Sequence, residues 1–293
     1  MRVIDYKDGS SGEPCVLLLG YFDGVHIGHR ALIAAAKEIA AREGLLVGLT
    51  TFYDGKNGGQ IFTFSERCTL LASLGVDFVY AAQFDAAFRA TEGAAFLEHV
   101  CAALPVRAFV CGEDYTYGRG AACGVAELSA FAAEHGTALY PQPAVAFGSE
   151  KAAATLAKQY LREGDMPRLA ELLGGRYFIT GTVATEGRHI GRKMGFPTAN
   201  IHVDPEKYPL REGVYAVSAE IGGKTYRGIA NYGARPTFGD ARIVLESFFD
   251  GFTGDLYGRE LTVYFDFYIR PVRKFENASE LAAQLRRDLE TIR

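Results

Sequence analysis

Apolar residues in the first half of the chain come in short unbroken runs, whereas in the last third they fall on every second position. Runs at 15–20, 45–52, 78–82 and 108–112 have the length of strands buried on both faces of a parallel sheet. Helical spacing at 30–43, 65–74, 93–104 and 125–135 separates and follows them, so strand and helix alternate. That alternation predicts a doubly wound, Rossmann-like α/β domain whose ligands bind at the carboxyl ends of the strands. From 151 to 173 the pattern turns helical, with Leu156, Tyr160, Leu161, Leu169, Leu172 and Leu173 on buried stripes, and Gly174-Gly175 then breaks it. We place a boundary there, giving domains 1–174 and 175–293.

Beyond the boundary the period is two. Val214, Ala216, Ser218 and Glu220 alternate with Tyr215, Val217, Ala219 and Ile221, and Gly222-Gly223 suits a two-residue hairpin turn into 224–230. Leu261, Val263, Phe265, Phe267 and Ile269 form a second alternating set. Antiparallel strands without intervening helices predict a small closed barrel. Asn277-Ala278-Ser279-Glu280 caps a terminal helix whose Leu281, Leu285 and Leu289 form one stripe against it.

A chain of 293 residues, nearly half of them apolar, can bury two ordinary cores. The net charge of −4 supplies no general basic field, which argues against nucleic acid as a partner. Five cysteines without metal-ligand spacing, and an N-terminus without a secretory pattern, predict a reduced cytoplasmic protein. No run is long enough to span a bilayer, so no membrane partner is expected.

Two stretches carry candidate chemistry. In the first, 20–29 (GYFDGVHIGH), His26 and His29 bracket Gly28 where a helix begins, so imidazoles and free N–H groups can meet an anion and stabilise charge on a phosphoryl group. Metal ligation is the rival, although His-x-x-His supplies only two ligands. In the second, glycines at 181, 187, 191 and 195 interleave with Arg188, Arg192 and Lys193 before Met194-Gly195-Phe196-Pro197-Thr198-Ala199-Asn200, a composition suited to phosphate oxygens. Thr198 and Asn200 share one face of an extended strand, where two oxygens can hold a hard cation such as Mg²⁺. Glu246 lies among apolar neighbours in a strand, a setting suited to taking a proton from an alcohol; the bland alternative points it to water.

These residues resemble known families. The stretch 181–200 (GTVATEGRHIGRKMGFPTAN) looks like the flap and Pro-Thr-Ala-Asn signature of riboflavin kinases, and the likeness continues through 213–216, 231–238, 245–247, 256–258 and 270–271. The stretch 20–29 resembles the His-x-Gly-His signature of nucleotidyltransferases in its prokaryotic FAD synthetase form, with 112–115 and 118–120 similar to the second motif. Together they imply a bifunctional riboflavin kinase/FMN adenylyltransferase, which makes FMN from riboflavin and ATP and then adenylates FMN to FAD. The resemblance assigns ATP contacts to Gly187, Arg192, Gly195, Pro197, Thr198 and Asn200 in the kinase half. In the other half it assigns them to Gly20, Phe22, Asp23, Gly28, Arg119, Thr155 and Lys158. Thr198 and Asn200 become ligands of Mg²⁺, Glu246 the base for the ribityl hydroxyl, and His26 and His29 the catalytic pair. Asn231, read as part of an Asn-Tyr-Gly turn, and Arg270 also match.

Three departures fall in the adenylyltransferase half: Tyr21 for a usual Asn, Tyr53-Asp54-Gly55-Lys56 for Glu-Pro-His-Pro, and Ala152-Ala153-Ala154-Thr155-Leu156-Ala157-Lys158 for Ile-Ser-Ser-Thr-x-Ile-Arg. Two lost hydroxyls cost about 1 kcal/mol each, and lysine cannot contact phosphate bidentately. Impaired or retuned adenylation is therefore expected. In the kinase half, Phe248 stands where a histidine is common. Two other classes remain open: a non-catalytic flavin- or RNA-binding module, and a cytidylyltransferase-like enzyme on another phosphorylated alcohol.

Overall fold

The computed structural model describes residues 1–55, 58–185, 198–234 and 243–292. The chain forms two compact units, Met1–Ala154 and Thr155–Arg293.

In the first unit β1 (Arg2–Asp5), β2 (Cys15–Leu18), β3 (Leu46–Phe52), β4 (Phe78–Ala82), β5 (Val106–Gly112) and β6 (Ala138–Gln142) form one parallel sheet in the order β1-β4-β3-β2-β5-β6. The long helices are α1 (Ile27–Glu43), α2 (Phe64–Ser73), α4 (Gly93–Ala103) and α5 (Val125–Glu134), with a single turn, α3 (Ala86–Arg89), before α4. Apolar clusters on opposite faces of the sheet bury β2, β4 and β5 on both sides, which is why those strands read as unbroken apolar runs. β1 and β6 escaped the pattern because they lie at the edges and carry polar residues. The chain leaves β2 to one side through β3 and β4 and returns to its other side at β5, so the strand order reverses between β2 and β5. Crevices at such reversals are where doubly wound sheets bind ligands.

Residue 151 is not helical as expected. Glu150–Lys151 (β8) pairs with Ala146–Phe147 (β7) in a small hairpin, and the helical stretch is two helices, α6 (Ala154–Glu163) and α7 (Met166–Leu173). Gly164 separates them at φ 74°, and Gly174 ends α7 at φ 66°.

The second unit carries β9 (Phe178–Thr182), β10 (Ala199–His202), β11 (Gly213–Ile221), β12 (Lys224–Ala234), β13 (Ile243–Phe249) and β14 (Glu260–Arg270), antiparallel in the order β10-β13-β12-β11-β14-β9. A bridge between Val183 and Ile201 brings the two ends together, giving a nearly closed barrel. The Gly222-Gly223 turn joins β11 to β12 as expected, both glycines at positive φ. The alternation of β14 fails at its far end. A register shift against β11 between Phe265 and Phe267 turns Phe267 outward, where it is 37% exposed. Asn231 sits within β12, not in a turn. The terminal helix α8 (Ala278–Glu290), capped by Asn277, lays Leu285 and Leu289 on Val214, Ile229 and Phe248.

Candidate active sites

The first site begins where β2 ends. Gly20, Phe22, Asp23, His26, Gly28 and His29 line a cavity of 290 Å³, joined by Asp114 and Lys151. The loop is wound tightly enough to force Phe22 to φ 57° and Val25 to φ 43°, values that L-residues adopt at a cost of about 1–3 kcal/mol. Burial of both side chains and of Asp23, whose carboxylate accepts from the Ile61 N–H at 2.8 Å, holds that shape. His26 caps α1 by accepting the His29 N–H at its Nδ1, 3.4 Å. The two imidazoles stack at 3.7 Å, with Phe22 4.5 Å from His29. A Cβ at Gly28 would meet the His26 ring at 3.1 Å, a tight contact that the ring would have to relieve by shifting a few tenths of an ångström.

Burial, helped by the Lys151 ammonium, pushes His26 down to about 4. Burial first, then His26, Arg67 and Lys151, hold His29 well below the ordinary range. Both rings are therefore neutral near pH 7. The His29 Nδ1 is buried with no hydrogen-bond partner. Lys151 pairs with Asp114, holding that carboxyl below its usual range. Neither periodicity nor the family motif singled out Lys151, because a two-residue strand leaves no pattern. Among the described residues no three His, Cys, Asp or Glu side chains gather as a metal site, so the ligation rival has no completed ligand set.

A second cavity of 380 Å³ shares the Gly20–Tyr21 step and is walled by Tyr6, Phe52, Tyr80, Phe84, Phe88 and Phe96. Its size and aromatic walls suit a flat conjugated ring. Two of the departures meet here, since the Tyr21 hydroxyl donates to the Asp54 carbonyl at 3.1 Å and Asp54 accepts the Phe84 N–H at 2.8 Å.

Arg119 is exposed and paired with Glu92 at 2.8 Å. Thr155 is exposed on α6, and the Lys158 ammonium lies 4.9 Å from the Tyr208 ring.

In the barrel, Thr198 Oγ1 donates to Glu246 Oε1 at 2.9 Å. Asn200 of β10 and Asn231 of β12 are the cross-strand neighbours of Glu246 on either side. Directly opposed residues share a face, so these polar side chains form one row across three strands. Glu246 is half-buried rather than pointing to water, and Asn200 is buried. The oxygens of Thr198, Asn200 and Glu246 are all hard donors, a set that fits Mg²⁺. Phe248, on the same face two residues on, packs beneath α8, which gives the replacement of histidine a physical reason. Arg270 is structural: its guanidinium grips Asp288 of α8 through bonds of 2.7–3.1 Å. Gly187, Arg192, Gly195 and Pro197 lie outside the described residues.

An α/β domain with a histidine-bracketed crevice, followed by a barrel presenting a threonine-carboxylate pair, is an arrangement suited to a two-domain nucleotide-dependent transferase. A family model described as FAD synthetase matches residues 9–156, and one described as riboflavin kinase matches 173–293. A bifunctional riboflavin kinase/FMN adenylyltransferase from Listeria monocytogenes is 33% identical over 93% of this chain and 90% of its own length. The protein of the same description from Escherichia coli K12 is 33% identical over 96% and 92%. A crystal structure described as a macrolide-efflux protein from Streptococcus pneumoniae superposes with a TM-score of 0.88 at 28% identity, covering 100% of this chain and 99% of that one. The chain belongs to the bifunctional riboflavin kinase/FMN adenylyltransferase family. Among the described residues no helix is long and apolar enough to cross a membrane.

Proposed function

We propose that this chain phosphorylates riboflavin to FMN in its barrel and adenylates FMN to FAD in its α/β domain, with ATP as the co-substrate of both steps. The functional division follows 1–174 and 175–293, with 155–174 carried alongside the barrel. The observation that carries the kinase assignment is the 2.9 Å bond from Thr198 to Glu246, which joins the expected nucleotide end of the site to the expected base. Glu246 takes the proton of the ribityl 5′-hydroxyl as that oxygen attacks the γ-phosphorus and the bond to ADP breaks. Thr198 fixes the carboxylate's direction, and Asn231 flanks it on the next strand. Thr198 and Asn200 would hold Mg²⁺, which when bound neutralises phosphate charge.

In the α/β domain the isoalloxazine occupies the aromatic cavity, and its phosphate reaches past Tyr21 toward the histidines. A phosphate oxygen of FMN attacks the α-phosphorus, pyrophosphate leaves, and His26 and His29 donate N–H bonds to the charged oxygens. The aromatic cavity is what favours a flavin acceptor over the phosphorylated alcohol of a cytidylyltransferase. The expected impairment has no support in the comparisons, since the FAD synthetase match runs through Ala152–Ala154 to residue 156. A cytoplasmic setting rests on the cysteines being free thiols.

Pure protein incubated with riboflavin, ATP and Mg²⁺, with flavins separated by chromatography, tests the whole reading. FMN should appear first and FAD after it. No FMN would overturn the kinase assignment, and FMN without FAD would overturn the adenylyltransferase assignment.

A further inference from the structure

Among the described residues Arg67 is the largest side chain with no solvent exposure, and no motif singled it out. It lies on α2, whose start is fixed by a reciprocal cap between Thr63 and Glu66. Its Nη2 donates to two neutral acceptors, the Phe52 carbonyl at 2.6 Å and Gln60 Oε1 at 2.9 Å, while Nε and Nη1 have no partner. Removing a cation from water costs several kcal/mol unless an anion faces it. None of the ion pairs among the described residues includes Arg67.

The guanidinium carbon sits 4.9 Å from the centre of the Tyr21 ring, a cation–π distance. Tyr21 is in turn braced by Phe52 at 5.6 Å and by its hydroxyl on Asp54. It belongs to the wall of both cavities, the aromatic one and the one holding the histidines. The Arg67 charge also reaches the far side of that wall, where it is one of the causes holding His29 below its ordinary value.

We propose that Arg67, acting through the Tyr21 ring it stacks on, is a positioning residue for the phosphate-bearing end of the flavin acceptor. A buried cation behind a shared wall sets a positive potential at the passage between the cavities, where little solvent screens it. The ring orients the passage, and the charge draws the acceptor's phosphate into it. Neutral flavins gain nothing from that potential. The inference rests on the FMN-adenylating reading of this domain.

The test is FAD synthesis by wild type, Arg67→Met, Arg67→Gln and Arg67→Lys. It measures KM for FMN, KM for ATP, and the inhibition constant of lumiflavin, a flavin without phosphate. Arg67→Met and Arg67→Gln should raise KM for FMN at least tenfold, with the ATP and lumiflavin constants within twofold of wild type. Arg67→Lys should stay within threefold throughout. If Arg67→Met does not fold, Arg67→Gln, which keeps an N–H for the Phe52 carbonyl, carries the test. An unchanged KM for FMN in the neutral variants, or equal losses for FMN, ATP and lumiflavin, overturns the inference. Wild type that makes no FAD at all overturns the adenylyltransferase reading and takes this inference with it.

Discussion

Burial keeps His26 and His29 neutral at physiological pH, and the consequence falls on the acid side. An unfolded histidine titrates near 6.5, whereas His26 is pushed down to about 4 and His29 moves the same way. Between those values the unfolded chain binds more protons than the folded one, so stability is full above pH 6.5 and falls as pH drops toward 4. His26 alone should cost roughly 3 kcal/mol by pH 4. Thermal unfolding of the wild type should show that loss, and His26→Gln should flatten it; a profile unaffected by the substitution would contradict the assignment. Both histidines were legible in the sequence because they flank a glycine at a helix start. Their neutrality was not, since it depends on burial in the folded loop and on Lys151, which reaches the site from the β7–β8 hairpin. Arg67 was hidden for a similar reason: a lone arginine on an amphipathic helix reads as a solvated face.

Among the elements, α8 is tied to the barrel by an ion pair as well as by its leucines. Asp288 is 2% exposed and meets Arg270 from β14, with Gln284 adding a bond of 2.8 Å. Asp288→Ala would leave the guanidinium facing an unpartnered, largely buried position and should destabilise the barrel by about 3 kcal/mol. A lowered unfolding midpoint together with faster amide exchange along α8 checks it; unchanged exchange would contradict the role given to the pair. Strands buried on both faces and helices with clear stripes were readable from hydrophobic spacing. Edge strands, the short β7–β8 hairpin and the outward turn of Phe267 were not. Pattern alone cannot report a bulge, and two-residue pairings have no period. Asn231 shows the same limit from the opposite side, because Asn-Tyr-Gly has turn chemistry but is held in β12 by pairing on both edges.

For the molecule as a whole, each unit holds the groups proposed to act in its own step: the histidines in Met1–Ala154, and Thr198 with Glu246 in Thr155–Arg293. The two conversions are therefore separable by substitution, and the Thr198–Glu246 pair is the claim on which the kinase half stands. Glu246→Gln keeps the side chain's shape and an acceptor for the Thr198 hydroxyl but removes the proposed base. Measured with riboflavin and ATP, this variant should still bind riboflavin and should form FMN at least roughly a hundredfold more slowly. Supplied with FMN, it should make FAD at the wild-type rate. Riboflavin phosphorylation by Glu246→Gln at the wild-type rate would contradict the account directly.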